Sequence, residues 1–106
     1  MSRLDALDNV AEVQKAIETD LMGRPLDFKG DIDADPIGAL MAYVHANLDQ
    51  VGVNLGLGNV KSIQLSGPDF NTVSYQAGES LIDVFLGPQQ SAAQVGLKIR
   101  DAIGGT

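Results

Sequence analysis

The sequence has no cysteine and no tryptophan, and it is poor in positive charge. Without cysteine there is no disulfide, no thiolate metal site and no thiol nucleophile, and sulfur says nothing about the redox compartment. Two tyrosines and three phenylalanines are the whole aromatic content, which counts against a sensor pocket lined by rings. Seven Lys and Arg face fourteen Asp and Glu, for a net charge of −7. The basic residues are Arg3, Lys15, Arg24, Lys29, Lys61, Lys98 and Arg100, scattered along the chain. Phosphate recognition needs them gathered on one face, so nucleic acid is excluded as a partner, and so is an anionic membrane surface. No apolar run approaches the roughly 20 residues of a membrane span. The first residues are charged and amphipathic, with no signal-peptide core. The expectation is a cytoplasmic protein.

Catalytic signatures are also missing. No Walker-type phosphate loop occurs, and Gly56-Leu57-Gly58 precedes a strand where a dinucleotide fingerprint would need a helix. Asp31, Asp33 and Asp35 open like a calcium loop, but Pro36 and Ala42 stand where an EF-hand needs glycine and glutamate. The three carboxylates read as a solvated approach to a helix. His45, the only histidine, reads as a surface residue beside Asp49. Arg24 on a turn and Arg100 on the last helix are the candidates for an arginine finger offered to a nucleotide. No nucleophile, base and metal set assembles, so the expectation is a non-enzymatic chain with no cofactor and no metal.

What is present centres on Asp35 to Val51. Ile37, Leu40, Met41, Val44, Leu48 and Val51 recur at helical spacing on one stripe. Asp35 suits the cap and Pro36 the first helical position. A row of small residues, Ala39, Ala42 and Ala46, allows close approach of another element. Tyr43, His45, Asn47 and Gln50 face away and form a polar and aromatic surface, the candidate partner-binding set. Tyrosine there is the best contact candidate, since interface centres are rich in it.

Before this helix, Leu4 to Thr19 reads either as one helix or as a short helix over Leu4–Asn9 followed by a strand over Glu12–Thr19. The turn at Asp20-Leu21-Met22-Gly23-Arg24-Pro25 and the alternating Leu26-Asp27-Phe28 favour the strand, because a hairpin needs two arms. After the helix, Gly52, Gly56 and Gly58 punctuate a loop. Three strands follow at Asn59–Ser66, Phe70–Ala77 and Ser80–Leu86. A last helix, Gln89–Ile103, puts Ala92, Val95, Leu97 or Ile99, and Ile103 inward. The order helix-strand-strand-helix-strand-strand-strand-helix implies a single α+β domain over 1–106, with a mostly antiparallel five-stranded sheet and helices packed on it.

This pattern resembles the roadblock family, small modules related to dynein light chains and bacterial polarity regulators. The resemblance is carried by the hairpin from Val13 to Leu26, by the helix Asp35–Val51 with its glycine-marked loop, and by the three strands and helix from Asn59 to Ile103. It departs at the N-terminus, where the family's first helix is usually longer. The resemblance implies a profilin-like sheet between helices and a homodimer formed by the central helix and the next strand. Here those would be Ala39, Ala42 and Ala46 with Lys61, Ile63 and Leu65. It also implies a scaffold or regulator of a small Ras-like GTPase in polarity, motility or signalling, and no enzymatic activity. The alternative is a small-molecule sensor or adaptor without a GTPase partner.

Overall fold

In the computed structural model, which describes residues 3–58, 61–87 and 89–104, a 3-10 helix at Arg3–Asn9 leads into strand β1, Val13–Asp20. Strand β2 follows at Pro25–Lys29, helix α1 at Ala34–Asn54, strands β3 to β5 at Ser62–Ser66, Asn71–Ala77 and Ser80–Leu86, and helix α2 at Ala92–Gly104. The strands form one antiparallel sheet in the order β2-β1-β5-β4-β3. The fold is the expected α+β arrangement.

Between Glu12 and Thr19 the helical propensity of Ala, Glu, Lys and Gln loses to sheet pairing. β1 lies between β2 and β5 and pairs with β5 from Val13 to Asp20, so tertiary hydrogen bonding overrides a weak local preference. The turn behind it is the one its residues dictate. Gly23 has φ +92°, which a Cβ would strain. The Asp20 carboxylate accepts from the backbone N–H groups of Met22 and Arg24 and from Arg24 Nε at 3.0 Å. Those bonds, the Arg24 N–H first among them, hold the Asp20 carboxyl below its usual range.

The pleat divides the sheet into two unlike faces. On one side Ala16, Val73, Ile82, Val84 and Leu86 meet Leu4, Leu7 and Val10 of the N-terminal segment and Val95 and Ile99 of α2. Leu4 and Leu7 are three residues apart, which aligns them on one side of a 3-10 helix. Val95 and Ile99 are four apart, one turn of an α-helix. This is the main apolar core. Tyr75 fastens α2 to it by donating to the Gly96 carbonyl at 2.9 Å. Ile99, not Leu97, is the inward residue, and Leu97 is exposed.

On the other side α1 crosses Ile17, Thr19, Leu81, Asp83, Ser74 and Ile63, all buried. The bounds of α1, β3 and α2 differ from the sequence reading, and Gly52, read as a loop residue, is buried within α1. α1 runs from Ala34 to Asn54 with Asp33 at its N-cap, and no side chain caps it. Asp35 and Pro36 are therefore the second and third helical residues, and Asp35 is not the cap. β3 starts at Ser62, while residues 59 and 60 of the expected strand lie outside the described residues. α2 starts at Ala92 instead of Gln89. Although α1 is 21 residues long, no helix among the described residues is long and apolar enough to cross a membrane.

One close approach sets the height of α1 above the sheet. A Cβ added to Gly38 would stand 2.7 Å from the Gly23 carbonyl oxygen and 2.9 Å from Thr19 Cγ2. A Cβ on Gly23 would stand 2.8 Å from the Gly38 carbonyl oxygen and 2.9 Å from Ala39 Cα. Backbone meets backbone there. Alanine at position 38 would gain about 1 kcal/mol of helix propensity, but it would overpack a site bounded by main chain, at about 1–3 kcal/mol. Gly38→Ala is expected to lower the urea midpoint despite the propensity gain. A raised midpoint would show that the two backbones can part freely.

Candidate interaction surface

Helix α1 is seated on a narrow face. Its buried residues are Gly38, Met41, Ala42, His45 and Gly52, which fall within about a third of the helical circumference at 3.6 residues per turn. Gly38 and Ala42 have little or no side chain to fill the gap, so the helix backbone lies close to the hairpin turn at Gly23. The apolar stripe read from the sequence has rotated partly outward. Met41 is buried and Ile37, Val44 and Leu48 are half-buried, while Leu40 is 59% and Val51 50% exposed. Tyr43, one position round, is 68% exposed. The outer side of α1 thus carries Leu40, Tyr43, Asn47 and Val51, three or four residues apart, on a line. Asn47 donates its amide back to the Tyr43 carbonyl at 2.8 Å.

The candidate residues divide accordingly. Tyr43, Asn47 and Gln50 face outward, as do Ala39 and Ala46 on the flank. His45 does not. It is 4% exposed and points at the sheet, which corrects its reading as a surface residue. Ala42 is buried against the β1–β2 turn, and Ile63 is buried beneath α1 opposite Ser74. Lys61 and Leu65 are exposed. Among the described residues β3 pairs only with β4, so its outer side forms an edge of the sheet. Such an edge is a template for pairing with another strand. β2 is the edge at the far side, with Leu26 and Phe28 exposed.

Beneath α1 the sequence reading missed a buried polar chain. His45 Nε2 lies 2.6 Å from Ser74 Oγ, and the Ser74 hydroxyl donates to Asp83 Oδ1. Ser74 and Asp83 are each 1% exposed. Burial pushes the Asp83 carboxyl up to about 6, against the opposing pull of the Ser74 bond. Burial also pulls the His45 imidazole down, against the charge of Asp49. The available signal was Asp83 itself, a lone acid in the apolar run Leu81-Ile82-Asp83-Val84-Phe85. The serine is central to this chain and its proton is committed to the carboxylate. It is shut away from solvent, so it is not poised as a nucleophile.

A shallow pocket of about 120 Å³ opens beside His45, with Asp49 and Gln76 as its other polar members. Small-molecule sites are generally about 300–1,000 Å³, so this one is too small for the sensor alternative. Among the described residues no three His, Asp or Glu gather to hold a metal ion. Arg24 is exposed on its turn with Nε engaged by Asp20, and Arg100 is exposed on α2.

No family model matches the chain, and no curated protein matches it in sequence. Its fold is similar to solved structures. A roadblock/LC7 domain from Streptomyces avermitilis is 16% identical, with a TM-score of 0.81 over 95% of this chain and 88% of that one. MglB from Myxococcus xanthus is 17% identical, with a TM-score of 0.83 over 94% and 84%. An MglB with a tetrameric arrangement is 18% identical, with a TM-score of 0.85 over 97% and 83%. At these identities the likeness is one of fold, and the fold is that of the roadblock proteins.

The seating of α1 makes neighbouring residues behave differently. Met41→Ala is expected to lower unfolding stability by about 2–5 kcal/mol, as a buried truncation does. Leu40→Ser, one residue earlier, is expected to stay within about 0.5 kcal/mol of wild type. Urea unfolding at a concentration where the chain is monomeric separates the two. Equal losses would mean that the outer stripe is covered within the chain.

Proposed function

We propose that this chain of roadblock fold is a non-enzymatic homodimeric module that scaffolds or regulates a small Ras-like GTPase. One observation carries the reading. A 21-residue helix is seated on a narrow face, and Leu40 and Val51 of its apolar stripe are left facing outward beside Tyr43. The unpaired edge of β3, with Leu65 49% exposed, is a second open element. Monomers seldom leave contiguous apolar surface uncovered, and such patches mark association sites.

A two-fold dimer would cover both features at once. The β3 edges of two copies would satisfy each other's backbone groups, and the α1 helices would cover each other's outer stripes, residue meeting symmetry-related residue. Ala39 and Ala46 on the flank would let the helices approach, and Leu65 and Lys61 would flank the joined edge. The composite face would present Tyr43, Asn47 and Gln50 to the GTPase. Similarity in fold to MglB, and the roadblock resemblance in the sequence, support a GTPase as the partner class. The absence of clustered basic residues in the sequence leaves no positive face for nucleic acid. In this reading the module acts by positioning the partner's own residues, since Arg24 is tied to Asp20.

Light scattering on a sizing column tests the dimer. Wild type is expected near twice the 11.1 kDa of one chain. Leu65→Arg and Ala46→Arg, both at exposed positions, are expected to give folded monomers. Ala42→Arg would not serve, because Ala42 is buried. A wild-type monomer at all concentrations would overturn the dimer. Capture by immobilised small GTPases in GDP and GTP-analogue states tests the partner, and no capture in either state would overturn that assignment.

A further inference from the structure

The pleat turns Asp83 to the α1 side of the sheet, in register with Ile17 on β1 and Ser74 on β4. It is the acidic end of the chain His45, Ser74, Asp83. A side-chain hydrogen bond, His45 Nε2 to Ser74 Oγ, links α1 to the sheet. Two atoms of this chain, His45 Nδ1 and Asp83 Oδ2, are buried with no hydrogen-bond partner among the described residues. An ionised buried carboxylate without full pairing is costly. The two groups sit at opposite ends of a serine, which can donate in one direction and accept in the other. His45 also borders the open pocket, so its end of the chain is the one next to solvent.

We propose that His45, Ser74 and Asp83 form a single proton-binding clasp between α1 and the sheet, which takes up one proton from the pocket side and reverses its hydrogen bonds as it does so. Before uptake, Asp83 is a carboxylate. Ser74 donates to Asp83 Oδ1, and His45 Nε2–H donates to Ser74 Oγ. A proton added at His45 Nδ1 lets the Nε2 proton pass to Ser74 Oγ, and the serine proton pass to Asp83 Oδ1. Asp83 then donates to Ser74, Ser74 donates to His45 Nε2, and the imidazole carries its hydrogen on Nδ1. One proton has been gained, both hydrogen bonds survive, and the buried charge is gone.

The charged groups around the clasp fit this accounting. Asp49 lies one turn further along α1, beside the ring. On β1 the residue opposite Asp83 is Ile17, and Lys15, two residues away, directs its ammonium over the Phe70 ring at 4.9 Å. On β3 the residue opposite Ser74 is Ile63, with Lys61 two positions before it and exposed. Phe28 of β2 stands beyond Ile17, and Gln76 of β4 borders the pocket. No lysine or arginine pairs directly with Asp83 among the described residues.

Burial raises the carboxyl and lowers the imidazole, so the two shifts move toward each other. The consequences for folding oppose each other. The raised Asp83 makes stability rise as pH falls from about 6 toward the ordinary carboxylate value near 4. The lowered His45 makes stability fall as pH falls through the ordinary imidazole value near 6.5. In wild type the two effects oppose each other once the pH falls below about 6, and each single variant exposes the other partner.

His45 is the only histidine, so imidazole 15N chemical shifts report on the clasp without ambiguity. In wild type the ring is expected to change from the Nε2–H to the Nδ1–H tautomer with a midpoint near 6. In Asp83→Asn, which keeps a hydrogen-bonding group and removes the titration, the tautomer change is expected to vanish. Unfolding midpoints give an independent readout. Between pH 7.5 and 5, Asp83→Asn is expected to lose stability as pH falls and His45→Gln to gain it. Either of two results would overturn the clasp. One is a ring that titrates to imidazolium with the same midpoint in wild type and Asp83→Asn. The other is an identical pH slope of stability in all three proteins.

Discussion

Where Gly38 of α1 passes the turn at Gly23, two backbones come closer than any side chain would permit. Much of the surface described above depends on that contact. Because the helix is pulled down on its glycine and alanine face, its larger apolar residues cannot all turn inward, and several are left outside. The same low seat lets an imidazole from α1 reach a serine on the neighbouring strand at 2.6 Å. A helix held higher, with leucines beneath it, would bury its stripe and lose the polar chain. The exposed stripe and the buried polar chain are thus two results of one steric choice.

The sheet keeps this arrangement separate from what holds the fold together. The core on its opposite face is built, among the described residues, from ten buried apolar residues of the 3-10 helix and its exit, the strands and α2. Its cohesion comes from the hydrophobic effect, at roughly 25 cal/mol per Å² buried. Under α1 the contact is smaller and more polar. The main apolar core therefore lies on one side, and α1 on the other keeps an open outer face.

Period and punctuation made most of the elements legible in the sequence. Gly23 marked a turn that does need a positive φ, Gly67-Pro68-Asp69 and Gly78-Glu79 separated the strands, and Val95 marked the inner side of α2, where the choice between Leu97 and Ile99 stayed open. The strand at Val13–Asp20 was legible only through its hairpin partner, since its own residues favour a helix. The seating of α1 was misread, and the reason is physical. A periodic stripe shows that a helix has an apolar side, but not which side meets the sheet. Close approach is decided by small residues, and Gly38 carries no weight on a hydrophobicity scale. His45 was misread with it, because the rotation that exposes Leu40 buries the ring. Ser74 gave no signal by itself, and Asp83 gave one that was not followed.

The described chain shares a fold with proteins to which it is only 16–18% identical, and the two faces of its sheet suggest how such divergence stays tolerable. Substitutions on the outer side of α1 touch few atoms of the same chain, so they can accumulate with little penalty to folding. The inner face is less permissive, yet it asks only for apolar volume in the right alternation. What must be kept is a handful of backbone positions, among them the crossing of Gly23 and Gly38. The outer side of α1 can drift in sequence while the architecture stays fixed, because what fixes the helix in place is main chain rather than side chain.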